Sequence, residues 1–255
     1  MEWFKRFYDT DYYEYRYAPQ PQELPAKQVE FIIRAARLNF EGPRPPRVFD
    51  ICCGTGRHAR PLAARGCEVI GVDLSQRSIQ AAVAQARAAR LGDRCRFHVA
   101  DIRNFTPPSE CDAAISIFQS FGYFESDAAD AIIMDKAAES LRPGGRFILD
   151  VINREVAVGN FKPRDKRGRW RNYVLERSQL DLQTGHLVAR WTFMRHGRRS
   201  EHTVRIRLYA LHELIHMAEA RGLRFEAAYG DFDGRPYGRQ TPRCIFVAEK
   251  TRPPH

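Results

Sequence analysis

The segment Val48-Phe49-Asp50-Ile51-Cys52-Cys53-Gly54-Thr55-Gly56-Arg57 concentrates groups that could do chemistry. Its apolar run reads as a buried strand that carries an acid, Asp50, into a tight turn. Gly54 and Gly56 lack a Cβ, so a ligand can press against the backbone there. A second acid, Asp73, closes Ile70-Gly71-Val72, 23 residues after Asp50. A carboxylate at the tip of a second strand is placed to accept both hydroxyls of a ribose. A third acid, Asp101, follows His98-Val99-Ala100 and can accept a hydrogen bond from an adenine amino group. The dinucleotide fingerprint Gly-x-Gly-x-x-Gly would need glycine at position 59, which is Ala59. It would also set Asp50 against a pyrophosphate. A cationic ligand suits Asp50 better: a nucleoside with an amino-acid tail and no phosphate.

The elements that must hold these residues alternate regularly. Strands are expected at Arg47–Cys52, Cys67–Asp73, Arg96–Val99, Ala113–Phe118 and Arg146–Ile152. Helices fit between them: one ending near Ala64, one capped by Ser75 and ending at Gly92, and one from Asp127 to Leu141. This rhythm predicts an α/β fold with a mostly parallel sheet and helices on both faces. An earlier helix fits Ala26 to Phe40 and stops at Gly42-Pro43. Beyond 152 three extended stretches, Asn172–Asp181, His186–His196 and Ser200–Leu208, predict an inserted antiparallel three-stranded meander. A helix over Leu211–Ala220 and strands Leu223–Tyr229 and Arg243–Glu249 complete the chain. The expected organisation is one domain over 1–255: an aromatic lid or helix segment (1–40), a cofactor-binding core (46–152), the insertion (170–209) and a terminal helix and strand pair (210–250).

Asp50-x-Cys52-x-Gly54-x-Gly56 resembles the Asp/Glu-x-Gly-x-Gly-x-Gly motif of class I S-adenosylmethionine (AdoMet) methyltransferases. Asp73 and Asp101 stand where that family has its ribose and adenine acids. Leu141-Arg142-Pro143-Gly144-Gly145 resembles the family's turn before its fifth strand. The likeness is strong over residues 45–152. Its one departure is Cys52 in place of the first glycine, where many members accept a small residue. The resemblance implies a Rossmann-like seven-stranded sheet and S-adenosyl-L-methionine as cofactor. It places Asp50 near the methionine amino group, directly or through water, with the Gly54–Gly56 backbone packed on the cofactor. Asp73 would hold the ribose with Leu74 beside the adenine. Asp101 and Ile102 would flank the ring, and Ile117-Phe118-Gln119 would line the path to the sulfonium.

The acceptor is less marked. The Asn/Asp-Pro-Pro-Tyr/Phe motif of enzymes that methylate base amino groups is missing after the fourth strand, and no Pro-Cys pair follows. Phe118-Gln119-Ser120-Phe121-Gly122-Tyr123 instead resembles the Ser-x-Gly-His/Tyr segment of small-molecule N-methyltransferases, including aminosugar dimethyltransferases. Those also carry a Tyr-Asp segment near the N-terminus, here Tyr8-Asp9, and an antiparallel insertion. Tyr123 is the candidate for positioning the acceptor, with a core or lid aromatic as the plain alternative. Eight aromatics within residues 1–17 could close over the site, where aromatic faces favour cations, or could pack outside the sheet.

Two further groups carry weaker signals. His212-Glu213-Leu214-Ile215-His216 matches the zinc-protease pattern. Leu211, Leu214, Ile215 and Ala218 would form the buried stripe of that helix and leave the histidines at its edge, so no metal site is expected. Asp231 and Asp233 sit in a loop that could reach an acceptor amine, although turn chemistry explains them equally.

Composition frames these readings. At 255 residues, 44% hydrophobic and 28% charged, the chain suits a globular domain with a real core. No apolar run approaches the ~20 residues of a membrane span. The first residues lack an apolar signal core, so the cytoplasm is the expected location, and the six cysteines are expected as reduced, small apolar side chains. Net charge is +10, and 35 of the 41 basic residues are arginine. The densest basic stretch, Lys162 to Arg171, reads as a contact for an anionic partner or as a solvated loop. The reading that results is methyl transfer to nitrogen or oxygen of a small molecule. An RNA-directed methyltransferase is the second reading, and a protein that holds AdoMet without turnover the third.

Overall fold

The computed structural model describes residues 3–4, 23–169, 172–195 and 197–251. Helix α1 (Glu23–Ala35) precedes an alternating series: β1 (Arg47–Ile51), α2 (Ala59–Ala64), β2 (Glu68–Asp73), α3 (Gln76–Ala88), β3 (Cys95–Val99), β4 (Cys111–Ser116), α4 (Asp127–Ser140) and β5 (Leu141–Ile152). A short α5 (Arg154–Gly159) leads into β6 (Arg164–Arg169), β7 (Asn172–Asp181), β8 (His186–Arg195) and β9 (Arg198–Arg207). Helix α6 (Leu211–Glu219) and strands β10 (Leu223–Tyr229) and β11 (Arg243–Lys250) close the fold.

Seven strands form one sheet in the order β10-β11-β5-β4-β1-β2-β3. Strands β1 to β5 run parallel, and β11 enters antiparallel to β5. Continuous apolar runs such as Ala113–Ile115, fully buried, are what a sheet covered on both faces requires. One cluster, with Phe49, Phe121, Phe147 and Phe246, covers one face; Ile32, Leu62, Ile115 and Ile148 belong to the other. The helices start where polar side chains can cap them. Ser75 accepts the Ser78 N–H at 3.1 Å at the head of α3, and Ser126 accepts that of Ala129 at 3.2 Å at the head of α4.

The insertion differs from the expected meander. It has four strands in the order β6-β7-β8-β9, and it begins at 164 rather than 170. The basic stretch expected as a loop supplies β6, in which residues of both faces are charged, so no period of two was visible. Helix α1 starts at Glu23 because Pro25 falls in its first turn, where a missing N–H costs nothing. It stops before Arg37, whose φ of 51° lies in the left-handed region. Strand β5 begins at Leu141, so the Pro143-Gly144-Gly145 turn is carried inside it as an irregularity in its pairing with β4.

The insertion docks on the loop after β4. Arg207 N–H donates to the Gly122 carbonyl at 2.7 Å, and a Cβ on Gly122 (φ 88°) would run into the Arg207 carbonyl. The Tyr209 hydroxyl, with one proton to donate, lies 2.8 Å from Asp130 Oδ2 and 2.9 Å from Asp127 Oδ1, tying the exit of the insertion to α4. Tyr8-Asp9 and the other aromatics of 5–17 lie outside the described residues.

Candidate active site

A cleft opens at the carboxyl ends of β1, β2 and β4, where the strand order reverses beside β1. About 1190 Å³ of space lies between its walls, the open mouth included. Its floor is Asp50 and the turn Cys52-Cys53-Gly54. One wall holds Asp73, Leu74 and Ser75; another holds Ala100, Asp101 and Ile102; the mouth holds Phe4, Phe118, Ser120, Tyr123 and Phe124.

Asp50 is 2% exposed, and its Oδ2 has no hydrogen-bond partner among the described residues. Burial, and then the neighbouring charge of Asp73, push its carboxyl up to about 8. A buried carboxylate without a partner favours a cation or a donor brought by a ligand. Asp73 Oδ2 accepts the Gly54 N–H at 2.8 Å, and its Oδ1 accepts the Ser75 N–H at 2.9 Å. The tip of β2 and the glycine turn are therefore fixed to one another before any ligand arrives.

Asp101 accepts from its own neighbour. Its Oδ1 takes the Arg103 N–H at 3.1 Å and Nε–H at 2.9 Å, and Oδ2 takes Nη2 at 2.6 Å. The Arg103 guanidinium also lies 4.7 Å over Phe124, which fixes it against the wall. A carboxylate has about four lone-pair sites, so these bonds leave acceptor capacity at the cleft.

The loop after β4 is held in an uncommon conformation. Phe118 (φ 76°) and Gln119 (φ 62°) are consecutive left-handed residues. The Phe118 N–H donates to Asp150 Oδ2 at 2.9 Å, and Gln119 N–H to the Asp150 carbonyl at 3.0 Å. The Gln119 side chain accepts the Ile152 N–H at 2.5 Å and donates to the Phe121 carbonyl at 2.9 Å. Gln119 thus points into β5 and braces the loop, while Phe118 and Ile117 face the cleft. The Phe118 ring has the Arg57 guanidinium at 5.3 Å and that of Arg243 at 5.8 Å.

Of the residues expected from sequence, Asp50, Cys52, Gly54, Asp73, Leu74, Asp101, Ile102, Phe118 and Tyr123 all line this cleft. Gly56 does not: a Cβ there would meet the Phe97 ring at 2.9 Å, so it packs the turn onto β3 from behind. Cys52 adopts φ 58°, so a cysteine carries the backbone shape for which the motif has glycine. Burial and the surrounding acids raise the Cys52 and Cys53 thiols well above their ordinary range, so neither is a thiolate nucleophile. Tyr123 packs edge-on against Trp3 at 4.9 Å, and Phe4 against Phe124 at 5.5 Å, which brings the start of the aromatic stretch to the mouth.

Sequence reasoning passed over Arg57 and His58, which follow the glycine turn directly and also line the cleft. His58 Nε2 sits 2.9 Å from Gln28 Oε1, and burial with Arg57 nearby holds its ring down at about 3, hence neutral near pH 7. The other candidates lie away from the cleft. His212 and His216 are exposed on α6, and among the described residues no group of three or more His, Cys, Asp or Glu could hold a metal. Glu213 accepts the Ala210 N–H at 2.7 Å and pairs with Arg207 at 2.5 Å, so it caps its helix. Asp231 accepts the Phe232 N–H at 2.7 Å, and Asp233 pairs with Arg235, so both shape their turn.

Comparison with known proteins agrees with this geometry. Residues 48–145 match the family model described as a methyltransferase domain. The ubiquinone biosynthesis O-methyltransferase of Idiomarina loihiensis is 28% identical over 129 residues, 49% of this chain and 51% of that one. The dTDP-3-amino-3,4,6-trideoxy-alpha-D-glucopyranose N,N-dimethyltransferase of Streptomyces venezuelae is 28% identical over 108 residues, 42% and 43% of the two chains. The chain thus spans about half the length of the curated relatives it matches. The crystal structure of an S-adenosylmethionine-dependent methyltransferase from Clostridium acetobutylicum aligns over 94% of this chain and 96% of that one, with TM-score 0.79 at 18% identity. Residues 48–145 thus match a methyltransferase domain, and the fold is that of the class I S-adenosylmethionine-dependent methyltransferases. The cofactor of that class is S-adenosyl-L-methionine, and the cleft suits it: an orphaned buried carboxylate for a cationic tail, a strand-tip acid for hydroxyls, and apolar walls for a flat ring.

Proposed function

We propose that this protein transfers a methyl group from S-adenosyl-L-methionine to a nitrogen or oxygen of a small molecule by in-line displacement. The observation that carries the reading is the aromatic mouth above Asp50. There Tyr123, Trp3, Phe4 and Phe124 close a space between the loop after β4 and the insertion. An aromatic-walled mouth suits a small, partly apolar or cationic acceptor better than a base within a folded nucleic acid. The names of the two curated relatives, one an O-methyltransferase and the other an aminosugar N,N-dimethyltransferase, support the same class of acceptor.

Bound cofactor supplies a methyl group on a sulfonium, whose leaving group is a neutral thioether. The chain's task is therefore alignment and exclusion of water, with proton removal where the acceptor needs it. In this reading Asp50 faces the methionine amino group, Asp73 holds the ribose, and Asp101 with Leu74 and Ile102 receives the adenine. Phe118 walls the methyl path, and Tyr123 positions the acceptor.

Incubation with methyl-labelled cofactor and a panel of amines, phenols and aminosugars tests the proposal, with bulk RNA as a parallel acceptor. Label in a small molecule, reduced at least tenfold by Tyr123→Phe or Tyr123→Ala, is the expected result. Label in RNA alone would replace this reading with the RNA-directed one. Cofactor binding without transfer to any acceptor would leave the protein a binder.

A further inference from the structure

The four-stranded insertion has two unlike faces. Directly paired residues of a sheet share a face, and each strand alternates between the two. One face carries Ala189, Phe193, Val204 and Ile206, all buried and packed toward Trp3 and Tyr123. The other face is set by the register Arg164↔Arg177, Arg177↔Arg190 and Arg190↔Thr203, which places three arginines in one row across β6, β7 and β8. Two positions along the strands, Lys166 and Arg205 add to the same face, and all five cations are exposed.

None of these five has an acid within ion-pair distance among the described residues. The acids of that face are committed elsewhere: Glu201 to Arg199 at 2.5 Å, and Asp181 to the turn at Thr184 at 2.7 Å. Like charges directly opposite on a sheet are destabilising. The row Arg164-Arg177-Arg190 therefore has no ion pair within the sheet among the described residues, whereas a bound polyanion would neutralise it. Guanidinium forks match phosphate oxygens, and Tyr173 lies on the same face with Lys166 at 4.7 Å over its ring. A basic sheet face bearing an aromatic ring is the composition that tracks a single-stranded phosphate backbone and stacks its bases.

We propose that the outer face of the insertion docks single-stranded nucleic acid through Arg164, Lys166, Arg177, Arg190 and Arg205. This surface is separate from the cleft and does not depend on which acceptor is methylated.

Fluorescence anisotropy with a labelled oligouridylate of about twenty nucleotides tests it on the full chain. Single strands lose about 0.7 of a log-unit slope per neutralised phosphate. Five contacts then predict a slope near −3.5, or roughly a hundredfold loss of affinity between about 50 and 200 mM salt. The triple variant Arg164→Gln, Arg177→Gln, Arg190→Gln should reduce the slope to about −1.4. A matched control, Arg37→Gln, Arg90→Gln, Arg96→Gln, removes the same charge elsewhere and should leave the slope unchanged. S-adenosylhomocysteine binding by both variants checks that each is folded. Three results overturn the proposal: no binding of wild type at about 50 mM salt, an equal loss in the control variant, or equal binding to poly-glutamate or anionic vesicles.

Discussion

The Gly54 N–H donates to Asp73 Oδ2 at 2.8 Å, so the glycine turn and the tip of β2 hold one geometry between them. Asp73 also accepts the Ser75 N–H at 2.9 Å and so organises the start of α3. The residue thus has two tasks, one in the fold and one toward a ribose. Asp73→Asn keeps an oxygen for one backbone donor but removes the charge. It should cost about 1–2 kcal/mol of stability and more than tenfold in cofactor affinity. Chemical denaturation and cofactor titration on the same sample separate the two effects.

Asp50 gives the ligand-free protein a characteristic pH dependence. Its folded carboxyl is raised from 3.8 to about 8. The stability linked to it is fully present below about pH 4 and is lost as pH rises through about 8, because the native state retains the proton. Asp50→Asn should flatten stability across that window. A cationic ligand favours the charged form, so cofactor binding near pH 7 should release a proton in wild type and none in Asp50→Asn. Calorimetry in buffers of different ionisation enthalpy reads that number directly.

Cys52 sits at φ 58° where the motif has glycine. Cys52→Gly relieves about 1 kcal/mol of backbone strain and adds a similar entropy cost to folding, so stability should stay within about 1 kcal/mol of wild type. Cys52→Val puts a β-branched side chain in that conformation and should destabilise by about 2 kcal/mol or more. Thermal melts of the two variants, alone and with S-adenosylhomocysteine, distinguish a backbone role from a thiol role.

Gln119 braces the loop that carries Phe118 and Tyr123 by bonding the Ile152 N–H and the Phe121 carbonyl. Gln119→Leu preserves bulk and leaves both buried backbone groups without a partner. It should cost about 2–4 kcal/mol and lower kcat more than it raises the KM for cofactor. An unchanged kcat in a folded variant would show that the loop holds its shape without this bond.

Asp50 and Asp73 were legible because one sits within the apolar run Val48–Ile51 before the glycine turn and the other ends the run Ile70–Val72. Apolar periodicity likewise marked Leu214 and Ala218 as the buried face of α6, leaving His212 and His216 outside. Strand β6 was hidden because Arg164, Asp165, Lys166 and Arg167 offer no apolar face to reveal its period. Gln119 looked like a lining residue, but two left-handed residues in a row turn its side chain into β5, a conformation its sequence does not announce. Arg57 and His58 could have been found from position alone, since they join the glycine turn to the start of α2.

Calorimetric titration of the full chain with S-adenosyl-L-methionine and S-adenosylhomocysteine, on wild type and Asp73→Ala, tests the central claim most directly. Micromolar binding of both ligands at one site per chain is the predicted result, weakened at least tenfold in a folded Asp73→Ala variant. Failure of folded wild-type protein to bind either ligand, or equal binding by the variant, would contradict the account.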